Sequence, residues 1–348
     1  MSSGNENDAL LEQLKPLIPR DQYRTPASEA ASRKPAFEFD NVKAILEGKD
    51  FSKRVLGLSI YQSLIDLNRS IVGRRANEEY QSSALAGHFL TNLRWYAKVM
   101  RPASGTSIAP AIHWVSFSKT QEAAIGADFA VISVPKQTDV AHGIVNIRLF
   151  QAKVKDPSGS FDFGHVTGDD GTNLAETKFR AHLQGTFASP QPKPYLQIHA
   201  LAAAQKILND HRWKKSNRLS NFCFYCLLPG ASREVPLLPM TARLDHLIDI
   251  HRKSHSFRTI ISGGMSLGWA ILGLYSQDRA STSIPINRLD ALFSALKSIL
   301  PDIKVGLMSR TDQDAQLVLA KLRMAGGTAS RNLTEYTAAR GRGRERDQ

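Results

Sequence analysis

Cysteine is almost missing from this chain, with two in 348 residues. So small a supply offers no disulfide framework and fits a reducing compartment. Long apolar runs are missing too. None approaches the roughly 18 residues that a membrane-spanning helix needs, so no membrane partner is expected. The opening stretch, MSSGNENDALLEQLKPLIPRD, lacks the basic segment and apolar core of a secretory signal, and the expected location is cytoplasmic. Acidic residues are in deficit: 32 Asp and Glu stand against 45 Lys and Arg, a net charge of +13. That excess draws in polyanions. Nucleic acid is the first partner it points to, although an anionic membrane surface or a merely basic protein fits the same number. Internal repeats are absent as well. What remains, 42% hydrophobic and 22% charged residues, is the balance of a globular protein.

Metal-site patterns are equally scarce. CFYC, from Cys223 to Cys226, has the spacing of zinc and redox sites, but no second Cys pair exists to close a zinc site. In a strand, i and i+3 face opposite ways, so both read as buried core thiols. His88, His113, His142 and His165 show no metal-ligand spacing with one another.

The chain does carry clear periodicities. Residues 1–40 have none and read as a flexible arm with one short helix at 8–17. From Phe51 onward Val55, Leu56, Ile60, Leu64, Leu67 and Ile71 recur at helical spacing. Arg74 to Met100 is a second helical segment, broken by RPASGTSIAP. The period then switches to two. HWVSFSK (113–119), GADFAVISV (126–134) and VNIRLFQAKV (145–154) predict three strands, the last two joined by a hairpin-length link. YLQIHALAAAQKILNDH (195–211) predicts a helix and FCFYCLLPG (222–230) a further strand. Helix, strands, helix, strand is the order of an α/β sandwich. The sequence thus divides into the arm, a core with its leading helices over 41–230, a helix-rich α/β extension over 231–330 and a basic, disordered tail over 331–348. In the extension, SGGMSLGWAILGLYS (262–276) reads as a glycine-interrupted core element, and INRLDALFSALKSIL and DQDAQLVLAKLRMA as amphipathic helices.

Within the core, one strand carries polar residues where its neighbours are apolar. In IRLFQAKVKD (147–156), Gln151 and Lys153 fall on the Ile147 and Leu149 face. Asp128 interrupts the apolar run of the preceding strand, directly after Gly126 and Ala127. A carboxylate there needs a cation, a metal or several donors. Asp128, with Gln151 and Lys153 on a paired strand, suits metal-assisted phosphodiester hydrolysis. Asp128 would hold Mg²⁺ or Mn²⁺ through oxygen, with the Gln151 carbonyl as an uncharged second ligand. Lys153 would act as catalytic base or stabilise the charge developing on phosphorus. Gly126 would let the backbone approach a substrate phosphate. A plain cross-strand salt bridge between Asp128 and Lys153, with Gln151 bonded to a loop, is the competing reading.

GAD followed by FQAK resembles the PD-(D/E)xK, or restriction-endonuclease-like, nuclease superfamily in its Mrr-like Q-x-K variant. The resemblance covers about 75–230, and it implies a central mixed sheet of about four to five strands flanked by helices. It further implies that Asp128 is the essential metal ligand, Gln151 the second ligand position and Lys153 the catalytic lysine. The supporting carboxylate is open among Glu78 and Glu79 on the leading helix and Glu122 ahead of Asp128. Glu79 and Glu122 are the two carried forward, Glu122 also as a metal ligand. The implied activity is a Mg²⁺-dependent endonuclease acting on DNA, in bacterial defence against foreign DNA by analogy alone. A homodimer or an accessory defence subunit is compatible with it. The alternative is a catalytically inactive nucleic-acid-binding subunit of the same fold, since Gln151 removes one negative charge from the metal site. A basic scaffold protein is a third.

Around this site, Lys155 and the run HRWKKSNR (211–218), with Arg212, Lys214 and Lys215, are expected to contact DNA phosphates. For Gln197, at a helix start, the resemblance allows a contact with the substrate or the active site, while an exposed helix-start glutamine is the favoured expectation. Asp169 and Asp170, beside Gly171, read as turn formers.

Overall fold

The structure, a computed structural model, describes residues 3–17, 38–71, 76–100, 112–117, 122, 125–133, 144–164, 196–212, 220–230, 238–254, 258–261, 264–276, 283–285 and 288. Four helices lead the chain: α1 (Ser3–Leu14), α2 (Glu38–Glu47), α3 (Phe51–Ile71) and α4 (Glu78–Val99). Then come β1 (Ile112–Ser116), β2 (Phe129–Ser133), β3 (Ile144–Val154), the short β4 (Phe161–Asp162), α5 (Gln197–His211) and β5 (Cys223–Leu228). Beyond them lie β6 (Met240–Arg243), α6 (Leu244–Ser254), β7 (Arg258–Thr259), β8 (Met265–Ser266), α7 (Leu267–Ser276) and β9 (Ser283–Pro285). Apart from Arg288, the expected amphipathic helices at 286–300 and 312–325 lie outside the described residues, as do Asp169, Asp170 and the tail over 331–348.

The architecture is α/β, with a mixed sheet flanked by helices. The sheet has seven strands in the order β1-β2-β3-β5-β6-β8, with β9 pairing β3 from the side. That exceeds the four to five expected, because the chain beyond Pro229 returns to the sheet instead of standing apart as helices. β3 is the central strand. It pairs β2 antiparallel and β5 parallel, and β9 takes the start of the edge that β5 leaves open, from Ile144 to Asn146.

Alternation along the strands sorts the two faces. Ile147, Leu149, Cys223, Tyr225 and Leu227 pack with α5 and α6 on one side. Trp114, Phe129, Val131, Phe150, Ala152, Phe224 and Cys226 pack with α1 to α4 and α7 on the other. Cys223 and Cys226 are thus free, buried thiols on opposite faces. On the second face an aromatic file crosses four strands. Trp114 stacks on Phe129 at 4.3 Å, Phe129 on Phe150 at 5.0 Å, and Phe150 meets Phe224 at 5.9 Å. The buried Arg148 guanidinium closes the file over the Phe224 ring at 5.2 Å.

α3 is the hub of the helical layer. Val55, Leu56, Ile60, Leu64, Leu67 and Ile71 are all buried, as their spacing predicts. α1 runs earlier than the expected helix at 8–17 and is packed rather than loose, since Leu10, Leu11 and Leu14 are buried in the same core as α3. α7 lies against α3, and Gly268 is there for space: a Cβ would stand 2.7 Å from the Tyr61 ring. Among the described residues no helix is long and apolar enough to cross a membrane.

Candidate active site

Strand parity places Gln151 and Lys153 on the Ile147 and Leu149 face, where both are buried. They lie near the C-terminal end of the parallel pair β3 and β5, the end at which α/β sheets bind ligands. Three other segments converge there: the turn before β2, the first turn of α5 and the first turn of α4. α4 packs on the opposite face, but its N-terminus comes round the end of the sheet, where Gln81 Nε2 donates to the Pro229 carbonyl at 3.5 Å.

Asp128 stands just before β2. Its own N–H donates to the Phe150 carbonyl at 2.9 Å. One residue further along β3 the backbone pairing stops, and the Asp128 carboxylate takes over: Oδ2 accepts from the Ala152 N–H at 2.5 Å and from Gln151 Nε2 at 2.8 Å. Lys153 does not bond this carboxylate. Its Nζ donates to Glu78 Oε1 at 3.0 Å and to Gln197 Oε1 at 3.1 Å. Gln197 in turn donates from Nε2 to Glu122 Oε1 at 2.7 Å. The simple Asp128–Lys153 salt bridge is therefore replaced by a chain from Glu78 through Lys153 and Gln197 to Glu122.

The helical carboxylate in this chain is Glu78, not Glu79. Asn77 caps α4, its side chain accepting from the Tyr80 N–H at 2.8 Å. That cap sets the first turn so that Glu78 meets Lys153 while Glu79 is exposed; side chains one residue apart diverge on a helix. Gln197 is corrected as well. It is 2% exposed and joins Lys153 to Glu122. A helix-start glutamine looks solvated in sequence, and only the fold brings Glu122 above it.

Two expected substrate contacts are internal instead. Gly126 faces α5: at φ +75, a Cβ would stand 2.3 Å from the Gln197 carbonyl oxygen. Its missing side chain makes room for the helix backbone, not for a phosphate. Arg212 is 4% exposed and donates to Asn209 Oδ1 at 2.8 Å and Ser220 Oγ at 3.0 Å. It closes the end of α5 and presents no charge to DNA. Lys155, two residues beyond Lys153, is exposed. Lys214 and Lys215 lie outside the described residues.

The site is electrostatically crowded. Burial pushes the Asp128 carboxyl up to about 7; Glu122 and, less strongly, Glu78 push the same way, against the Ala152 N–H and the Lys153 ammonium. Crowded oxygens of this kind suit a hard divalent cation. Among the described residues no three His, Cys, Asp or Glu side chains are arranged to hold one by themselves. Mg²⁺ asks for less, since one or two carboxylates suffice while it keeps several waters. A second observation fits: Gln151 Oε1 is buried with no hydrogen-bond partner among the described residues. Turning the amide over would set that oxygen beside Asp128.

Sequence reasoning missed Tyr225. It pairs directly with Gln151 across β3 and β5, and its ring is fully buried on the same face. Within an apolar run, FCFYCLL, nothing marked its hydroxyl as different from its aromatic neighbours. A scan of protein-family models finds none that matches the chain, a search of curated proteins finds no match either, and the functional reading rests on this geometry.

Proposed function

We propose that this protein is a divalent-cation-dependent nuclease that hydrolyses DNA phosphodiester bonds. The observation that carries the reading is the meeting of Asp128, Gln151 and Lys153 at one end of β3, with Glu122 and Glu78 beside them. Asp128 and Glu122, with Gln151 once its amide turns over, would hold Mg²⁺ or Mn²⁺. Bound there, the cation supplies Lewis-acid polarisation of a phosphoryl oxygen.

The chain's own residues supply the rest. Lys153 donates two of its three N–H bonds, to Glu78 and Gln197, and keeps the third. Held this way it suits a stabiliser of charge developing on phosphorus better than a proton acceptor. Gln197 and Glu78 are positioning residues: they aim the ammonium, and Gln197 also ties down Glu122. Lys155 would meet the substrate backbone on the exposed side of the same strand end. DNA is favoured as the polyanion by the net charge of +13.

A second reading has its own support. Gln151 donates to Asp128, a bond that satisfies the carboxylate without any cation. On that account the protein is a nucleic-acid-binding subunit of the same fold that does not cut. Incubation with plasmid in Mg²⁺, Mn²⁺ or EDTA separates the two. Asp128→Asn and Lys153→Ala are each expected to lower metal-dependent nicking by about 10²-fold or more, with far-UV circular dichroism unchanged. Nicking that survives both substitutions overturns the site, and wild-type binding without nicking in any metal favours the second reading.

A further inference from the structure

At this end of β3 two buried polar atoms, Gln151 Oε1 and the Tyr225 hydroxyl, have no hydrogen-bond partner among the described residues. They belong to residues that pair directly in the β3–β5 register, so both side chains leave the sheet on the same side. The atoms do not bond each other. Tyr225 cannot turn away, because its ring is clamped edge-on by Phe163 at 4.6 Å and 78°. Unpartnered buried groups are rare, and neighbouring ones are the usual mark of an ordered water between them. Burial, with Cys223, Asp128 and Glu78 acting in the same direction, keeps the Tyr225 hydroxyl an O–H.

We infer that Tyr225 and Gln151 together hold a water molecule inside the site, beside the Asp128 carboxylate. The Tyr225 O–H donates to the water oxygen, and the water donates to Gln151 Oε1. If the Gln151 amide turns over, Nε2 donates to the water and the Tyr225 oxygen accepts from it, so the pair serves in both states. Resting on the nuclease reading, this is the water that the reaction consumes. Its oxygen bonds to phosphorus as the bond to the departing ester oxygen breaks. One of its protons goes to solvent, and the departing oxygen takes a proton up. Tyr225 is then a positioning residue for the nucleophile.

Tyr225→Phe deletes one oxygen and leaves the ring against Phe163. The expected result is a kcat lower by roughly three- to tenfold, the worth of one hydrogen bond, with KM and circular dichroism unchanged and Tm the same or higher. High-resolution diffraction should show the water in the wild type and lose it in the variant. A wild-type kcat in the variant overturns the role in catalysis, as does a kcat that falls only together with Tm. No water between the two atoms overturns the inference outright. Absence of metal-dependent cleavage by the wild type sinks the nuclease reading instead, and diffraction then decides the water by itself.

Discussion

His113 shows how one residue sets a condition for the whole. It lies on β1, wholly buried, and among the described residues neither ring nitrogen has a hydrogen-bond partner. Burial lowers its pKa to about 4. As pH falls below about 6.5, the unfolded chain takes up a proton that the folded protein refuses until near pH 4. The stability His113 permits is complete above that window and lost on descending through it, by about 3 kcal/mol. Asp128, raised to about 7, takes up its proton in the folded state first and gains stability over the same window, so the test is a difference. From pH 7 to pH 4.5, urea unfolding should show His113→Leu faring better than the wild type by about 3 kcal/mol, and an equal change in both would refute it. At this scale the sequence was legible where a period carried the signal. Strand parity placed Gln151 and Lys153 on one face. It could not choose Glu78 over Glu79, because that depends on where Asn77 caps the helix. Nor could it bury Gln197 or Arg212, whose partners, Glu122 and Ser220, are brought by the fold.

Among elements, the decisive contact is between the turn before β2 and the first turn of α5. Gly126 permits it twice over, by its left-handed backbone and by the space its missing Cβ leaves for the Gln197 carbonyl. Gly126→Ala is expected to cost about 3 kcal/mol or more, strain and clash together. Because α5 must withdraw, Gln197 should also lose its grip on Lys153 and Glu122. Denaturant titration measures the first effect. The second appears as a drop in nicking larger than the residual folded fraction explains. Strands β1, β2, β3 and β5 were legible because each is long enough to alternate several times. β6 to β9 have two to four residues each, too few for a period to show, and so their segment read as helical.

For the molecule as a whole, charge and sheet make different statements. A net charge of +13 concerns association. If DNA is the partner, raising NaCl from about 50 to 200 mM should weaken binding by about tenfold or more, the effect of freeing counterions from only two phosphates. Fluorescence anisotropy with a duplex oligonucleotide measures it, and a salt-independent affinity would argue against a polyanion. The α/β class was legible in the order of periodicities, whereas the width of the sheet was not. The shared edge of β3 bears on how the protein is made. β5 covers its second half, but its first three residues wait for β9 at Ser283–Pro285. While the ribosome is still short of that point, the strand that carries the site emerges with an open edge, the kind that recruits strangers. Synthesis closes the sheet only when the chain doubles back across more than a hundred residues, a slow step by its nature. A fragment ending at Gly230 would keep every residue of the site and still expose the first three residues of the strand that holds them.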